Sequence, residues 1–346
     1  MLAAVLAVTV LAGVARYAAG FPTLVSFGLA TLALAGMAWI VSFSTEQVGQ
    51  RFGPAVTGFM QSTLGNLPEF FVVLFALGSG QLVVAQTSII GSILVNALLV
   101  LGLVLVAGAR ESRDGIMRFR ARLPNDTATL LLVSSFIIVL IGLSNSANDA
   151  ASHHIKAIST IGSVCLLAVY FAWVVPYLRS DAAAAGEEEA RPEPRVPLAV
   201  SVVLLGLGGA ASAFVSDWFV KALEPTINQL DLSPAFAGLV IVAIAGNAVE
   251  NVTGIVLAAK GQADLAISVV KNSVAQIAAF LFPALVLVSL AFSTSLTFAL
   301  APVYIGALLG TALVIWQITG DGEASAFEGW ALVGTFVILA TVAFYE

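Results

Sequence analysis

Charge is what this sequence has least of. Only 10% of its 346 residues are Asp, Glu, Lys or Arg, against about 25% in soluble domains. Hydrophobic residues make up 60%, and the mean hydropathy is +1.03. A water-soluble fold of this length is excluded. The single cysteine, Cys165, lies in an apolar run; it can form no internal disulfide and reads as a small core residue. The only two histidines, His153 and His154, are adjacent. Neighbouring side chains on a helix do not share a face, so the pair reads as a solvated loop, not a metal site. No glycine-rich phosphate loop follows a strand, and no Cys/His set has metal-binding spacing. The net charge of −6 comes largely from acids in short connections and implies no nucleic-acid partner.

What the chain has instead is length of apolar run. A membrane-spanning helix needs about 20 apolar residues. Eleven candidates appear, at about 2–19, 23–43, 55–79, 86–108, 127–145, 157–178, 197–215, 234–259, 264–291, 296–318 and 329–345. The expected fold is therefore an all-α polytopic membrane protein with about 11 transmembrane helices. Ala18-Ala19-Gly20 resembles a signal-peptide cleavage site, but no Lys or Arg follows Met1, so the first run reads as a retained helix. Ser44 to Gly53 reads as a short polar approach to the third span, and Ser146 to Lys156 as a polar loop. Residues 180–196, with three consecutive glutamates, read as an acidic, mobile linker.

Basic residues set the orientation. One side receives ten of them: Arg51, Arg110, Arg113, Arg118, Arg120, Arg122, Arg179, Arg191, Arg195 and Lys260. The other receives three: Arg16, Lys156 and Lys221. The linker and N-terminus are thus expected in the cytoplasm. Residues 1–22 form a first helix that stands apart. Residues 23–179 and 197–346 then hold five spans each. An odd number of spans makes the second repeat enter from the opposite side, which is inverted-repeat architecture with a site near the midplane.

Each half carries one acid inside an apolar run: Gly65-Asn66-Leu67-Pro68-Glu69 and Gly246-Asn247-Ala248-Val249-Glu250, both Gly-Asn-x-x-Glu. A charge at bilayer depth costs about 2.5–3.5 kcal/mol on insertion scales and normally faces a partner or a wet cavity. The halves align at a constant offset of 181, which also superposes Gly80-Gln81 on Gly261-Gln262 and Ser92 on Ser273. The glycines and Pro68 are expected to break the helices and free carbonyls as hard oxygen ligands. Asn66 and Asn247 would add amide oxygens, and Glu69 and Glu250 the charge. In the following spans Ser92 and Asn96 are four apart, and Ser273 and Gln276 three apart, each pair on one helical face. Interhelical hydrogen bonding is the plain reading of such pairs. Their recurrence in equivalent spans favours a role near the ion. The oxygens together suit calcium, which takes six to eight at about 2.3–2.6 Å, better than magnesium. Lys271 sits early in the ninth span, faces away from Ser273, and reads as snorkelling to an interface.

The segments STLGNLPEFFVVLFALGSGQLVVAQTSIIGSILVNALLVLG and AIAGNAVENVTGIVLAAKGQADLAISVVKNSVAQIAAFLFPALVLV resemble the two signature repeats of the calcium/proton exchanger family, within the cation/calcium antiporter superfamily. The one-plus-five-plus-five layout and the acidic linker extend the resemblance over nearly the whole chain. It implies ion-binding roles for Glu69 and Glu250, supported by Asn66, Asn96, Asn247 and Gln276. Asn251 stands where many members have histidine, Asn272-Ser273-Val274 where many have Gly-Ser-Ser, and Val95 where many have serine. These departures leave the site poorer in hydroxyls, which bears on cation selectivity. The implied activity is exchange of calcium, or a similar divalent cation, for protons across a prokaryotic cell membrane. No cofactor is implied, and calcium enters only as transported substrate. The Leu-Pro-Glu of the first copy also resembles the sodium/calcium branch, which leaves sodium open as counter-ion. A channel or scaffold is the reading from another class.

Overall fold

Inside hydrocarbon every backbone N–H and C=O must find a partner within the protein, so apolar runs of this kind close into helices. The computed structural model describes residues 2–18, 20–49, 51, 60, 63–120, 122–184 and 194–346. Its helices are α1 (Leu2–Tyr17), α2 (Thr23–Gly49), α3 (Leu67–Gly78), α4 (Leu82–Glu111), α5 (Arg122–Ala147), α6 (Ile155–Ala184), α7 (Leu198–Leu230), α8 (Pro234–Gly246), α9 (Ala248–Ala259), α10 (Ala263–Ser289), α11 (Pro302–Thr319) and α12 (Ala326–Tyr345). Among the described residues, eight are long and apolar enough to cross a bilayer. The pair α8 and α9, bent by 63°, makes a ninth, and α1 and α3 are shorter. α4 and α10 are not α-helical throughout: each passes through a π-helical turn, at Val95–Val100 and Ile277–Leu281.

Several boundaries differ from the sequence expectation. α2 runs on through Ser44 to Gly49, so most of the expected polar approach is helical; residues 50 and 52–59 lie outside the described residues. α7 continues to Leu230 instead of ending near 215. Its added turns bury Ser216, Phe219, Val220, Leu223, Thr226 and Ile227, an amphipathic stripe at three- and four-residue spacing. That stripe keeps a segment with Asp217, Lys221 and Glu224 helical. α6 extends to Ala184 into the expected linker, while residues 185–193, with the three glutamates, lie outside the described residues. Beyond them, Arg195 N donates to Gln47 Oε1 at 2.6 Å, and Arg51 Nη2 donates to the Val196 carbonyl at 3.0 Å. Between α5 and α6, Asp149 caps a short 3₁₀ turn by accepting from the Ala151 and Ser152 amides. A hydrogen bond from Ser144 is the main cause holding its carboxyl below the usual range.

The internal repeat is visible in the backbone. After α3, Gly80 N donates to Leu77 O and Gln81 N to Ala76 O; after α9, Gly261 N donates to Ala258 O and Gln262 N to Leu257 O. Each of these atoms is displaced by 181 residues from its counterpart. Both glycines take positive φ, +76° and +70°, a conformation that favours glycine. The two copies sit at opposite ends of the fold. Gln81 immediately precedes α4, whereas a Cβ on Gly261 would touch Glu111, the last residue of α4, at 3.8 Å. A 30-residue helix separates them by about 45 Å. The repeats are therefore inverted.

Connections on the Glu111 side are tied together. Strand β1 (Ile116–Arg118) pairs antiparallel with β2 (Glu323–Ser325), Ile116 opposite Ser325. Arg120 N donates to Asp264 Oδ1 at 2.7 Å. In the core, α4 crosses α8 with almost no side chain between them. A Cβ added at Gly91 would lie 2.6 Å from Leu239 Cα, and one at Gly238 would lie 2.8 Å from the Val84 carbonyl. Small residues at such crossings let membrane helices approach closely. Gly91→Val should therefore destabilise the protein by about 1–3 kcal/mol and depress transport. Gly206→Ala, with nothing within 4 Å of its Cβ, should change neither. Thermal unfolding in detergent, beside flux in vesicles, measures both.

Candidate cation site

The chain breaks where two helices begin. Asn66 (φ −83°, ψ 6°) precedes α3 and Asn247 (φ −103°, ψ 16°) separates α8 from α9, each just outside helical geometry. The Asn66 carbonyl accepts from Phe70 N at 2.9 Å and the Asn247 carbonyl from Asn251 N at 3.0 Å, again 181 residues apart. Glu69 and Glu250 thus fall in the first turn of their helices, where the N-terminal end of the helix dipole favours a negative charge. The two breaks meet, since a Cβ on Gly246 would lie 3.8 Å from Glu69 Cβ.

Glu69 is 2% exposed, and among the described residues neither of its carboxylate oxygens has a hydrogen-bond partner. Ser92 and Asn247 are nonetheless placed as hydrogen-bonding neighbours of this carboxylate, and the Glu250 charge acts on it. Glu250 itself is half-buried. A network joins the supporting residues: Asn247 Nδ2 donates to Ser92 Oγ at 2.9 Å, and Asn96 Nδ2 donates to Asn247 Oδ1 at 3.2 Å and to Ser273 Oγ at 3.3 Å. It leaves Asn96 Oδ1 and Gln276 Oε1 buried and unpartnered. Asn66 is also buried. α4 and α10 therefore bring Ser92, Asn96 and Ser273 into one network with Asn247, and Gln276 is buried on α10 three residues from Ser273.

Buried oxygens without partners cost about 1–3 kcal/mol each, and more when charged. Here the unpartnered oxygens are two carboxylate and two carboxamide atoms. They are hard ligands, matched to a group 2 cation better than to a thiolate- or imidazole-seeking metal. No cluster of three or more His, Cys, Asp or Glu occurs among the described residues.

Three expectations change. The carbonyls at the breaks are already occupied: Pro68 O accepts from Ser216 Oγ at 3.1 Å, and Ala243 O accepts Asn247 N at 3.2 Å and Asn247 Nδ2 at 2.9 Å. Asn247 is a bridge, because its amide oxygen holds Asn96. Lys271 does not snorkel; it is 2% exposed, with Nζ donating to Thr319 Oγ1 at 2.9 Å. Thr319, at the end of α11, supplies the acceptor that sequence alone could not place there. Ser216 was missed, although its spacing of four from buried Ser212 marks a polar stripe on α7. His153 and His154 are exposed. Asn251 Oδ1 and Asn272 Oδ1 are buried without partners.

This arrangement defines a cation-binding membrane transporter of inverted-repeat type. Residues 22–177 and 200–345 match the sodium/calcium exchanger protein family, and the chain belongs to that family. It is similar to the Ca(2+)/H(+) antiporter ChaA of Bacillus subtilis, at 30% identity over 92% of both chains. It is also similar to the vacuolar calcium ion transporter of Schizosaccharomyces pombe, at 33% identity over 92% of this chain and 79% of the relative. Native YfkE superposes with a TM-score of 0.81 at 26% identity, covering 100% of this chain and 98% of that one. The sodium-calcium exchanger NCX_Mj superposes with a TM-score of 0.59 at 20% identity, over 92% of this chain and 97% of that one, and shares the fold.

Glu69→Gln and Glu250→Gln each keep the side-chain shape and remove the charge that balances a divalent ion. Each should reduce calcium flux to background in correctly inserted protein. Wild-type flux in either variant would take that carboxylate out of the site.

Proposed function

We propose that the protein is a secondary antiporter that exchanges calcium, or a similar divalent cation, for protons by alternating access. The observation that carries this reading is the Glu69 carboxylate, 2% exposed and acted on by the Glu250 charge. Two acids held this way need compensation from protons or from a cation, and one set of oxygens cannot hold both. Relatives named Ca(2+)/H(+) antiporter, similar over nine-tenths of the chain, support the same pairing of substrates. In this reading Glu69 and Glu250 alternate between cation and protons. Asn96 Oδ1 and Gln276 Oε1 complete the ligand set, and Asn247 and Ser92 orient it. Asn66 and Ser273 line it.

The chain is placed in a prokaryotic cell membrane as eleven spans, α8 and α9 forming one, with the N-terminus and the 180–196 linker in the cytoplasm. Contacts joining residues 111–120, 261–264 and 323–325 on one face support that layout. These are connections the charge count assigns to the cytoplasm. Residues 23–179 and 197–346 would then be the two repeats.

If protons and cation compete for the acids, protonation removes the charged form that the cation needs. Apparent calcium affinity should weaken as pH falls on the binding side, approaching about tenfold per pH unit for each competing proton. Acid on the opposite side should promote release. With Asn251 in place of a histidine, the response should follow carboxylates alone. Calcium flux in sodium-free proteoliposomes under an imposed pH gradient tests this. Flux that ignores the pH gradient and appears only with a sodium gradient would reject proton exchange in favour of a sodium-driven exchanger.

A further inference from the structure

Away from the cation site, α1, α2 and α7 enclose a cavity of about 190 Å³. Its polar lining is Arg16 from α1, Thr23 and Ser26 from the start of α2, and Trp218 and Lys221 from α7. No acid is among its lining residues. The indole N–H of Trp218 is buried and has no partner among the described residues. Arg16 stacks over the Tyr17 ring at 5.5 Å and enters no ion pair among the described residues. Lys221 bonds Asp217 at 2.9 Å with its side chain 46% exposed, a pair weak enough to share its ammonium. Two cations, two hydroxyls and an unpartnered N–H make a pocket of donors, which suits an anion.

Its position says which anion. Lys221 lies one helical turn before Glu224, whose carboxylate accepts from Gln81 at 3.1 Å. Gln81 precedes α4, at the end remote from β1 and β2, so the cavity opens near the face opposite the strands. Tyr17 and Trp218 pack edge to face at 6.2 Å, the residue types that mark a membrane–water interface. On the same three helices, Val10, Val14, Leu24 and Phe214 are exposed apolar side chains over which acyl chains can lie. Cationic donors at a membrane interface match a headgroup phosphate by charge-assisted hydrogen bonds, whichever leaflet it belongs to. We infer that this cavity holds the phosphate of an anionic phospholipid, which ties α1 to the repeats. The inference is independent of the transport reading.

The test is native mass spectrometry of the full chain from detergent, with phosphatidylglycerol and phosphatidylcholine of matched acyl chains, and a separate arm with inorganic phosphate. Phosphatidylglycerol should be retained preferentially. Arg16→Gln and Lys221→Gln should each weaken that retention about fivefold, Arg16→Lys should restore most of it, and calcium flux should persist in all three variants. Equal retention of the two lipids by the unmodified protein would overturn the inference, and that comparison stands even where a variant fails to fold. So would a preference that survives Arg16→Gln/Lys221→Gln. Inorganic phosphate displacing phosphatidylglycerol at equal concentration would assign the pocket to a soluble anion and reject the lipid.

Discussion

The constraint on which this structure turns is the burial of one carboxylate, Glu69, beside the charge of a second, Glu250. Water would solvate Glu69 freely; between apolar helices its charge carries a penalty of several kcal/mol unless something neutralises it. The fold holds that penalty in place and does not relieve it. Helix breaks at Asn66 and Asn247 set the acids in first turns, and the second break lies beside Glu69 at Gly246. Gly91 and Gly238 bring α4 and α8 to backbone contact, so the network carried by α4 reaches Asn247. The polar groups that reach the acid are tied into one network: the Asn247 amide donates to Ser92 and Ala243, and the Asn96 amide to Asn247 and Ser273.

Duplication explains the two acids, but the site is not symmetric. At the offset of 181, Ser92 meets Ser273, whereas Asn96 falls on Ile277 and Gln276 on Val95. Each repeat still contributes one carboxamide, because α4 and α10 both change to π-helical hydrogen bonding at this point. An extra residue per turn rotates the following side chains, and π-turns recur at functional sites for that reason. Asn96 sits inside the first π-turn and Gln276 just before the second. Both oxygens remain unpartnered among the described residues although they occupy different register positions.

Much of this was legible in the sequence. The apolar runs, the twin Gly-Asn-x-x-Glu motifs and the offset of 181 are local signals, and the helices, breaks and recurring turns follow them. The inversion followed from counting spans, and the turns at Gly80 and Gly261 bear it out at opposite ends of α4. What the sequence could not give was partnership across helices. That the Asn247 oxygen belongs to Asn96, the Pro68 carbonyl to Ser216 and the Lys271 amine to Thr319 depends on contacts 148, 151 and 48 residues apart. The length of α7 was missed for another reason. Its charges at Asp217, Lys221 and Glu224 lie on the face away from a buried stripe, and a hydropathy window averages the two faces together.

The same constraint bears on coupling. For an antiporter of the proposed kind, a leak is the return of the empty site across the membrane. Loaded with a divalent cation, the two carboxylates are balanced; loaded with protons, they are neutral. Empty and ionised, they leave two like charges together in a centre where Glu69 is buried from water. Any rearrangement that closes this centre from water on both sides must carry that uncompensated charge through its driest stage. The penalty is smallest for the two loaded states and largest for the empty one, because Coulomb repulsion and desolvation act in the same direction. A site more open to water would hold the ionised acids more comfortably and would also let them cross empty. On this argument, the burial of Glu69 beside Glu250 enforces exchange.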